Sequence, residues 1–493
     1  MPRIPLLRKP LATDQRGAPR PSRVRLVKPL ILMMIVAASV AVTEATDAQT
    51  TLKEALQKTY ETNPHLASQR ASQRATDEEI AQAKENWFRP TISTNGGIGY
   101  THDDSTDGFN AAAAQGQQSA YTQDAHTPDA NVSLNLPIFM SGQTFYGIKQ
   151  AEATVDVGQW NLVAAEQSIL SQAASAYAEI VLYSGLVKIA LEELDAYLPL
   201  LKMTESMFKS RTSTITDVAQ VRSEIAQSRA SLAVNQGSLD TYRATYEAIV
   251  GEAPDNLAPL PRLDAGPTTL EAAEKLMMEQ NPLIRSAEFS VRQSQFEIKS
   301  QKSALLPTLQ VSASYGQSWQ YWTATQSGQR QTGSTDSGNA SVNLVANIPL
   351  YTGGVKYSYI RQSMQQNISN EKSLQNVKRT QAGTLKGAWL ERDSQIKVVQ
   401  AYEDAIGSSR TAVTGKIHEF KNGTTSMQEV INAQENLYNV LSERAQASYQ
   451  LFNLELSIVQ SLGSLTATGL DLRVPIYRPE KYRDEIKNKW IGW

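Results

Sequence analysis

Residues 342–357 read VNLVANIPLYTGGVKY. Val342, Leu344, Ala346 and Ile348 alternate with Asn343 and Asn347, the period of a strand with one apolar and one polar face. A proline, an aromatic residue and a glycine pair follow. Residues 131–146, NVSLNLPIFMSGQTFY, carry the same text: Val132, Leu134, Leu136 and Ile138 oppose Asn131, Ser133 and Asn135. Asn343, Asn347, Pro349 and Gly354 each stand 212 places after Asn131, Asn135, Pro137 and Gly142, and Tyr357 answers Phe145 at the same offset. A pattern written twice at a fixed spacing points to an internal duplication.

Working outward, each half opens on a helix start. Thr51-x-x-Glu54 and Thr268-x-x-Glu271 have capping-box spacing, and both helices then meet Asn-Pro, at Asn63-Pro64 and Asn281-Pro282, where a new first turn is expected. After the next proline the alternation begins. Ile92, Thr94, Ile98 and Tyr100 share one face of the first segment, and Leu309, Val311, Ala313 and Tyr315 one face of its counterpart. The polar stretches 102–128 and 318–339 read as exposed loops, leaving four strands of about 10–12 residues, close to the ~9–11 that cross a bilayer when tilted. Beyond Gly142 and Gly354 each half continues as a helix of ~65 residues, about 100 Å long. The returning helices carry seven-residue seams, Val218, Ile225, Leu232, Leu239, Tyr246 and Val430, Leu437, Arg444, Leu451, Ile458, with Arg444 the misfit.

The chain has 493 residues, 41% of them hydrophobic, and nearly balanced charge, which gives no basic surface for nucleic acid. With no cysteine there are no disulfides, thiolate metal sites, cysteine nucleophiles or lipidated cysteine. Arg20, Arg23, Arg25 and Lys28 precede an apolar run from Pro29 to Val42 and then small residues, so 1–48 reads as a secretory signal peptide cleaved after Ala48 or Ala45; the run is shorter than a spanning helix needs. Without 1–48 the chain carries 39 basic and 46 acidic residues. No later stretch reads as apolar enough for a membrane helix. His65, His102, His126 and His418 are scattered, and H-E-x-x-H, G-x-x-x-x-G-K-[ST] and G-x-S-x-G are all missing, so neither an enzyme nor a cofactor is expected.

Four strands with a lipid-compatible face cannot close a barrel, because backbone groups in hydrocarbon must all be paired and the smallest usual barrel has about eight strands. Copies must therefore share one barrel: two would supply eight strands, three would supply twelve and a wider lumen. Tyr100, Phe139, Tyr315 and Tyr351 sit near strand ends, where interfacial aromatics belong.

The order of Asn-Pro helix, hairpin, long helix and coiled return helix, doubled, resembles the TolC family of outer-membrane efflux and secretion channels. The hairpin tips FKSRTSTITDVAQVRSEI (208–225) and FKNGTTSMQEVINAQENL (420–437), and the ending SIVQSLGSL (457–465), carry the resemblance most specifically, and it covers essentially all of 50–465. It implies a mainly α, mixed α/β fold, a coiled-coil α-helical barrel continuous with a transmembrane β-barrel. It further implies a homotrimer in outer-membrane lipid, spanning into the periplasm of a Gram-negative cell. Such a channel is a passive exit duct for efflux or type I secretion, opened by a periplasmic adaptor and an inner-membrane transporter. The expected organisation is signal peptide 1–48, first repeat 49–251, linker 252–268, second repeat 269–463 and an equatorial tail 464–493.

At the gate the resemblance transfers in part. The family's Thr-Asp pair falls on Thr216 and Asp217, but its tyrosine and arginine partners fall on Phe420 and Thr425, which can make neither bond; Arg211 or Lys421 is the expected substitute for Asp217. Two constriction rings of aspartate fall on Glu429 and Asn432, so three copies of Glu429 would gather negative charge in the lumen and attract cations. Gly423 falls on a glycine of the hairpin turn, and Arg211 stands at its counterpart. The competing readings are a coiled-coil adhesin without lipid-facing strands and a periplasmic adaptor, which would carry one hairpin and no doubled chain.

Overall fold

The computed structural model describes residues 49–106, 120–264, 266–326 and 328–490; the expected signal peptide lies outside the described residues. In chain order the elements are α1 (Leu52–Thr62), α2 (Pro64–Asp77), α3 (Glu79–Ala83), β1 (Thr91–Thr106), β2 (Ala120–Phe139), α4 (Gln143–Lys209) and α5 (Ile215–Val250). They recur as α6 (Leu270–Gln280), α7 (Pro282–Ser303), β3 (Thr308–Gln326), β4 (Gln329–Asn347), α8 (Val355–Lys421) and α9 (Met427–Ser461), and α10 (Pro479–Ile486) follows.

Thr51 and Glu54 form the expected capping box, satisfying each other's backbone N–H groups. In the second half the cap is one residue later than expected. Thr269 accepts from the Ala272 amide and there is no reciprocal bond, because the Asn-Pro steps lie 218 apart and the partner of Thr51 is therefore Thr269, not Thr268.

At each Asn-Pro step the asparagine ends one helix and caps the next. Asn63 Oδ1 accepts from the His65 and Leu66 amides, and Asn281 Oδ1 from Leu283 and Ile284. Each amide nitrogen then reaches the far end of its own repeat: Asn63 Nδ2 donates to Ile249 O and Asn281 Nδ2 to Ser461 O, both at 2.9 Å. One short side chain thus fastens the two ends of each repeat together.

The 67-residue helices α4 and α8 pair with the returns α5 and α9. Gly142 and Gly354 open the long helices at φ 86° and 79°, the left-handed region that glycine enters without a Cβ clash. Pro199 is carried inside α4 without ending it. Contrary to the sequence expectation, α4 holds a window long and apolar enough to cross a membrane. Its neighbours explain the composition: Leu170, Ala173, Ala174, Tyr177 and Ala178 are fully enclosed in the main core against α1, α5, α9 and the tail. Both heptad seams are inward, and Arg444 leaves its seam to pair with Glu403 at 3.0 Å.

Segment 252–264 lies across the helices. Leu257 bridges Thr50, the buried Tyr177 hydroxyl donates to Thr50 O (3.0 Å) and Ala258 O (2.7 Å), and Glu455 accepts from the Leu263 amide (3.0 Å). Burial pushes the Tyr177 hydroxyl up to about 12. The tail returns to the first repeat: the Ala467 amide donates to Glu166 (2.7 Å), and the Tyr482 hydroxyl to Glu78 (2.7 Å).

Replacing Asn281 by alanine removes a helix cap and leaves the Ser461 carbonyl without that donor, a loss of about 2–3 kcal/mol. Asn63→Ala, at a less buried position, is expected to lower the thermal midpoint by a smaller amount; equal or negligible shifts would disprove the clasp.

Candidate functional site

The strands form one antiparallel sheet in the order β1-β2-β3-β4, and they are longer than expected, at 16, 20, 19 and 19 residues. Most of 102–128 and 318–339, read as loops, is strand. Polar residues suffice there because the ladder supplies the hydrogen bonds and both faces beyond the apolar belt suit water. β3 and β4 stay paired as far as Gln326 opposite Gln329, and Gly328 holds φ 80°. The tip of the first hairpin, 107–119, lies outside the described residues.

Register places the apolar residues in rows. Ile92, Leu134, Ala313 and Val342 form one, Thr94, Val132, Tyr315 and Ala340 the next, and Leu136 stands with Val311 and Leu344. Val342 is 77% exposed and Ile98 82%, so this face has no partner among the described residues. The alternate row is Ser93, Ser133, Ser314 and Ser341, with hydroxyl pairs Ser93–Ser133 at 2.7 Å and Ser314–Ser341 at 2.9 Å. Two expected members fall out of the apolar rows. A bulge at Pro137/Phe139 skips Ile138 and sets Phe139 opposite Leu309, and Ile348 lies one residue past β4.

The sheet is open. Among the described residues β1 pairs only with β2 and β4 only with β3, so one edge of each outer strand keeps its backbone groups unpaired there.

At the other end, the helical hairpins turn at 210–214 and 422–426. Arg211 and Gly423 both hold left-handed backbone, at φ 63° and 72°, so the arginine occupies a position built for glycine. Asp217 accepts from Ser213 Oγ (2.7 Å), the Thr214 amide (2.8 Å) and Thr214 Oγ (2.9 Å), capping α5. Burial raises the Asp217 carboxyl, but those bonds together hold it below its ordinary value. Among the described residues neither Arg211 nor Lys421 forms an ion pair with it. Phe420 is buried in the tip core with Tyr197, Leu200, Val221, Met427 and Ile431. Thr216 is exposed and Thr425 half-buried. Glu429 is exposed, with Lys416 3.9 Å away, and Asn432 accepts from Gln428 at 2.8 Å.

One group at this end has no linear signature. Glu193 of α4, Glu224 of α5 and Glu435 of α9 converge near Tyr197, whose hydroxyl is enclosed without a hydrogen-bond partner. Burial, then Glu435, raises Glu224, and the two carboxyls share a hydrogen bond. Shifting these positions by 212 gives Ala405, Asn436 and Ser223, so the duplication carried no hint of the cluster.

The family described as outer membrane efflux protein matches residues 41–252 and 275–464. The chain belongs to that family. Outer membrane efflux protein BepC of Brucella suis biovar 1 (strain 1330) is 28% identical over 465 residues, spanning 94% of this chain and 96% of BepC. Outer membrane protein TolC of Escherichia coli (strain K12) is 22% identical over 427 residues, spanning 85% of this chain and 83% of TolC. Among solved structures, CusC superposes with a TM-score of 0.69 at 14% identity, over 84% of this chain and 92% of CusC. As an outer membrane efflux protein the chain is an outer-membrane exit duct, a passive conduit rather than an enzyme, and its fold joins an α-helical barrel to a β-barrel.

Two outcomes test this geometry. Arg211→Gly relieves the left-handed turn and is expected to stabilise the tip by about 1 kcal/mol, and Gly423→Ala to destabilise it by a similar amount, read from tip amide exchange. Glu224 is raised in the folded state, so its contribution is favourable at low pH and is lost as pH rises through the folded value. Glu435→Gln should therefore slow tip exchange at about pH 8 and change it little at about pH 4; a pH-independent effect would dismiss the shared proton.

Proposed function

We propose that three copies of this chain close one twelve-stranded barrel and continue as a twelve-helix tunnel, through which an inner-membrane transporter and a periplasmic adaptor export cargo. The observation that carries this reading is the open four-stranded sheet with one unpartnered apolar face and two free edges. The edge of β4 in one copy supplies what the edge of β1 in the next lacks. Two copies would give eight strands, whose interior is filled by side chains. The Ser93–Ser133–Ser314–Ser341 row and its Asn neighbours suit a wet lumen, which twelve strands provide. Val132, Leu134, Leu136, Val342 and Leu344 then face lipid, with Ile138 and Ile348 flanking the belt.

The hairpin tips form the periplasmic gate. Thr216, Asp217, Phe420 and Thr425 set how the tips close, with Phe420 inside the core of its own chain, and Glu429 and Asn432 ring the constriction, with Gly423 at the turn. The Phe420 core replaces a hydroxyl latch with packing, and three Glu429 carboxylates favour cations in the narrow lumen. Within this scheme 1–48 is the export signal, 49–251 and 269–463 are the two repeats, 252–268 is the linker, and 464–493 girdles the tunnel.

Mass measurement of the detergent-extracted particle is expected to give three chains, and Glu429→Gln to reduce cation preference in single-channel recordings without changing that mass. A two-chain or one-chain particle would overturn the barrel, and unchanged ion preference would remove Glu429 from the constriction.

A further inference from the structure

The segment joining α3 to β1, residues 84–90, reads KENWFRP; its counterpart before β3, residues 301–307, reads QKSALLP. Pro90 and Pro307 hold the same place, so Trp87, Phe88 and Arg89 stand where the second repeat has Ala304, Leu305 and Leu306. The difference has structural consequences. Trp87 and Phe88 meet edge to face, with centroids 6.2 Å apart, and with Ile138, Phe139 and Phe145 they line an apolar crevice of about 220 Å³. Phe88 holds φ 53°, a left-handed conformation that bulky residues seldom adopt. Both aromatic rings remain exposed.

Positive charge lies beside the crevice. Lys84 Nζ donates to Lys487 O (2.6 Å) and Asn488 Oδ1 (3.2 Å), which brings the tail to this segment. The Arg89 guanidinium donates to Ala81 O (3.4 Å) and lies 5.1 Å from the Trp490 ring centre, and that ring is itself 64% exposed. Burial, then the like charge of Arg89, pushes the Lys84 ammonium down; Glu152 opposes this and Lys487 adds to it. Of the nearby carboxylates, Glu152 is held by Lys149 at 2.6 Å and Asp484 by Lys487 at 3.0 Å, while Glu85 is exposed beside Lys84 in the chain.

We propose that this junction binds one anionic phospholipid of the leaflet on the helical side of the membrane, an acyl chain in the aromatic crevice and the phosphate between Lys84 and Arg89. Two features select that occupant. The crevice is continuous with the apolar belt of the sheet, because Phe139 both lines it and ends the outward row opposite Leu309. Lysine and arginine on one side, with tryptophan at the boundary, match a phosphate held at a membrane interface. The second repeat, with Ala304, Leu305 and Leu306, lacks the aromatic pair and the arginine, although Lys356 Nζ donates to Ala304 O (2.6 Å), so one lipid per chain is the expectation. The inference rests on membrane placement and not on the number of copies.

Native mass spectrometry of the delipidated full chain in detergent tests it, with phosphatidylglycerol, phosphatidylethanolamine and inorganic phosphate as probes. One phosphatidylglycerol per chain is expected, bound about tenfold more tightly than phosphatidylethanolamine and not displaced by inorganic phosphate. The Lys84→Gln/Arg89→Gln pair should weaken phosphatidylglycerol about tenfold, whereas Trp87→Ala should weaken both lipids and Leu306→Ala neither. Equal binding of the two lipids, displacement by inorganic phosphate, or unchanged affinity in the charge variant would each overturn the site. Circular dichroism of each variant separates lost binding from lost folding.

Discussion

A backbone N–H or C=O left unpaired in hydrocarbon costs several kcal/mol, and the outer edges of β1 and β4 each present a whole row of them. Within one chain that cost has no remedy, since the sheet is four strands wide and its ends do not meet. The apolar face of the same sheet points the same way: it is unpartnered in the chain, and lipid is the environment that tolerates it. The backbone ladder and the side-chain rows therefore demand two different neighbours, other strands at the edges and lipid on the face. A shared barrel in a membrane meets both demands at once.

The helical part must hold the strands of such a barrel in fixed register over about 100 Å of hairpin. Long two-helix hairpins are pliant, so cross-links part-way along the helices matter most. The paired asparagines tie the start of α2 and α7 to the ends of α5 and α9, and the Tyr177 and Glu455 bonds bind the segment between the repeats across the same level. At the far end such cross-links give way to a small core around Phe420 and to the carboxyls of Glu193, Glu224 and Glu435 gathered near Tyr197.

Much of this was legible in the sequence because duplication repeats its own signals. Helix starts, Asn-Pro steps, the αL glycines before the long helices and the heptad seams all depend on local chemistry, and each appears twice. Strand length was misread because polar residues such as those of 329–341 sit in the ladder as readily as apolar ones when both faces are wet. The bulge that exchanges Ile138 for Phe139 depends on pairing with β3, a partner 170 residues away in sequence, which periodicity alone does not reveal. The cap at Thr269 was one residue off because the offset between repeats is 218 in the first helices and 212 after the hairpins. At the gate, the positions of Thr216, Asp217, Phe420 and Glu429 were placed by resemblance. The Glu193–Glu224–Glu435 cluster was invisible because it joins three helices and has no copy in the other repeat.

Departures from the duplication therefore carry more functional information than the duplication itself. Two repeats under the same folding constraint should keep the same residues wherever the backbone alone decides, as Gly142 and Gly354 do. Arg211 opposite Gly423 breaks that rule at a strained turn, so the arginine side chain must offer something that offsets the left-handed backbone. Trp87, Phe88 and Arg89 opposite Ala304, Leu305 and Leu306 break it at the membrane junction, again with a residue at positive φ. Both breaks fall in the first repeat, one at each end of its long hairpin. The second repeat keeps the plainer residues at these places. The first repeat thus bears left-handed backbone at non-glycine residues in both places, and what those side chains touch is what the duplication leaves undecided.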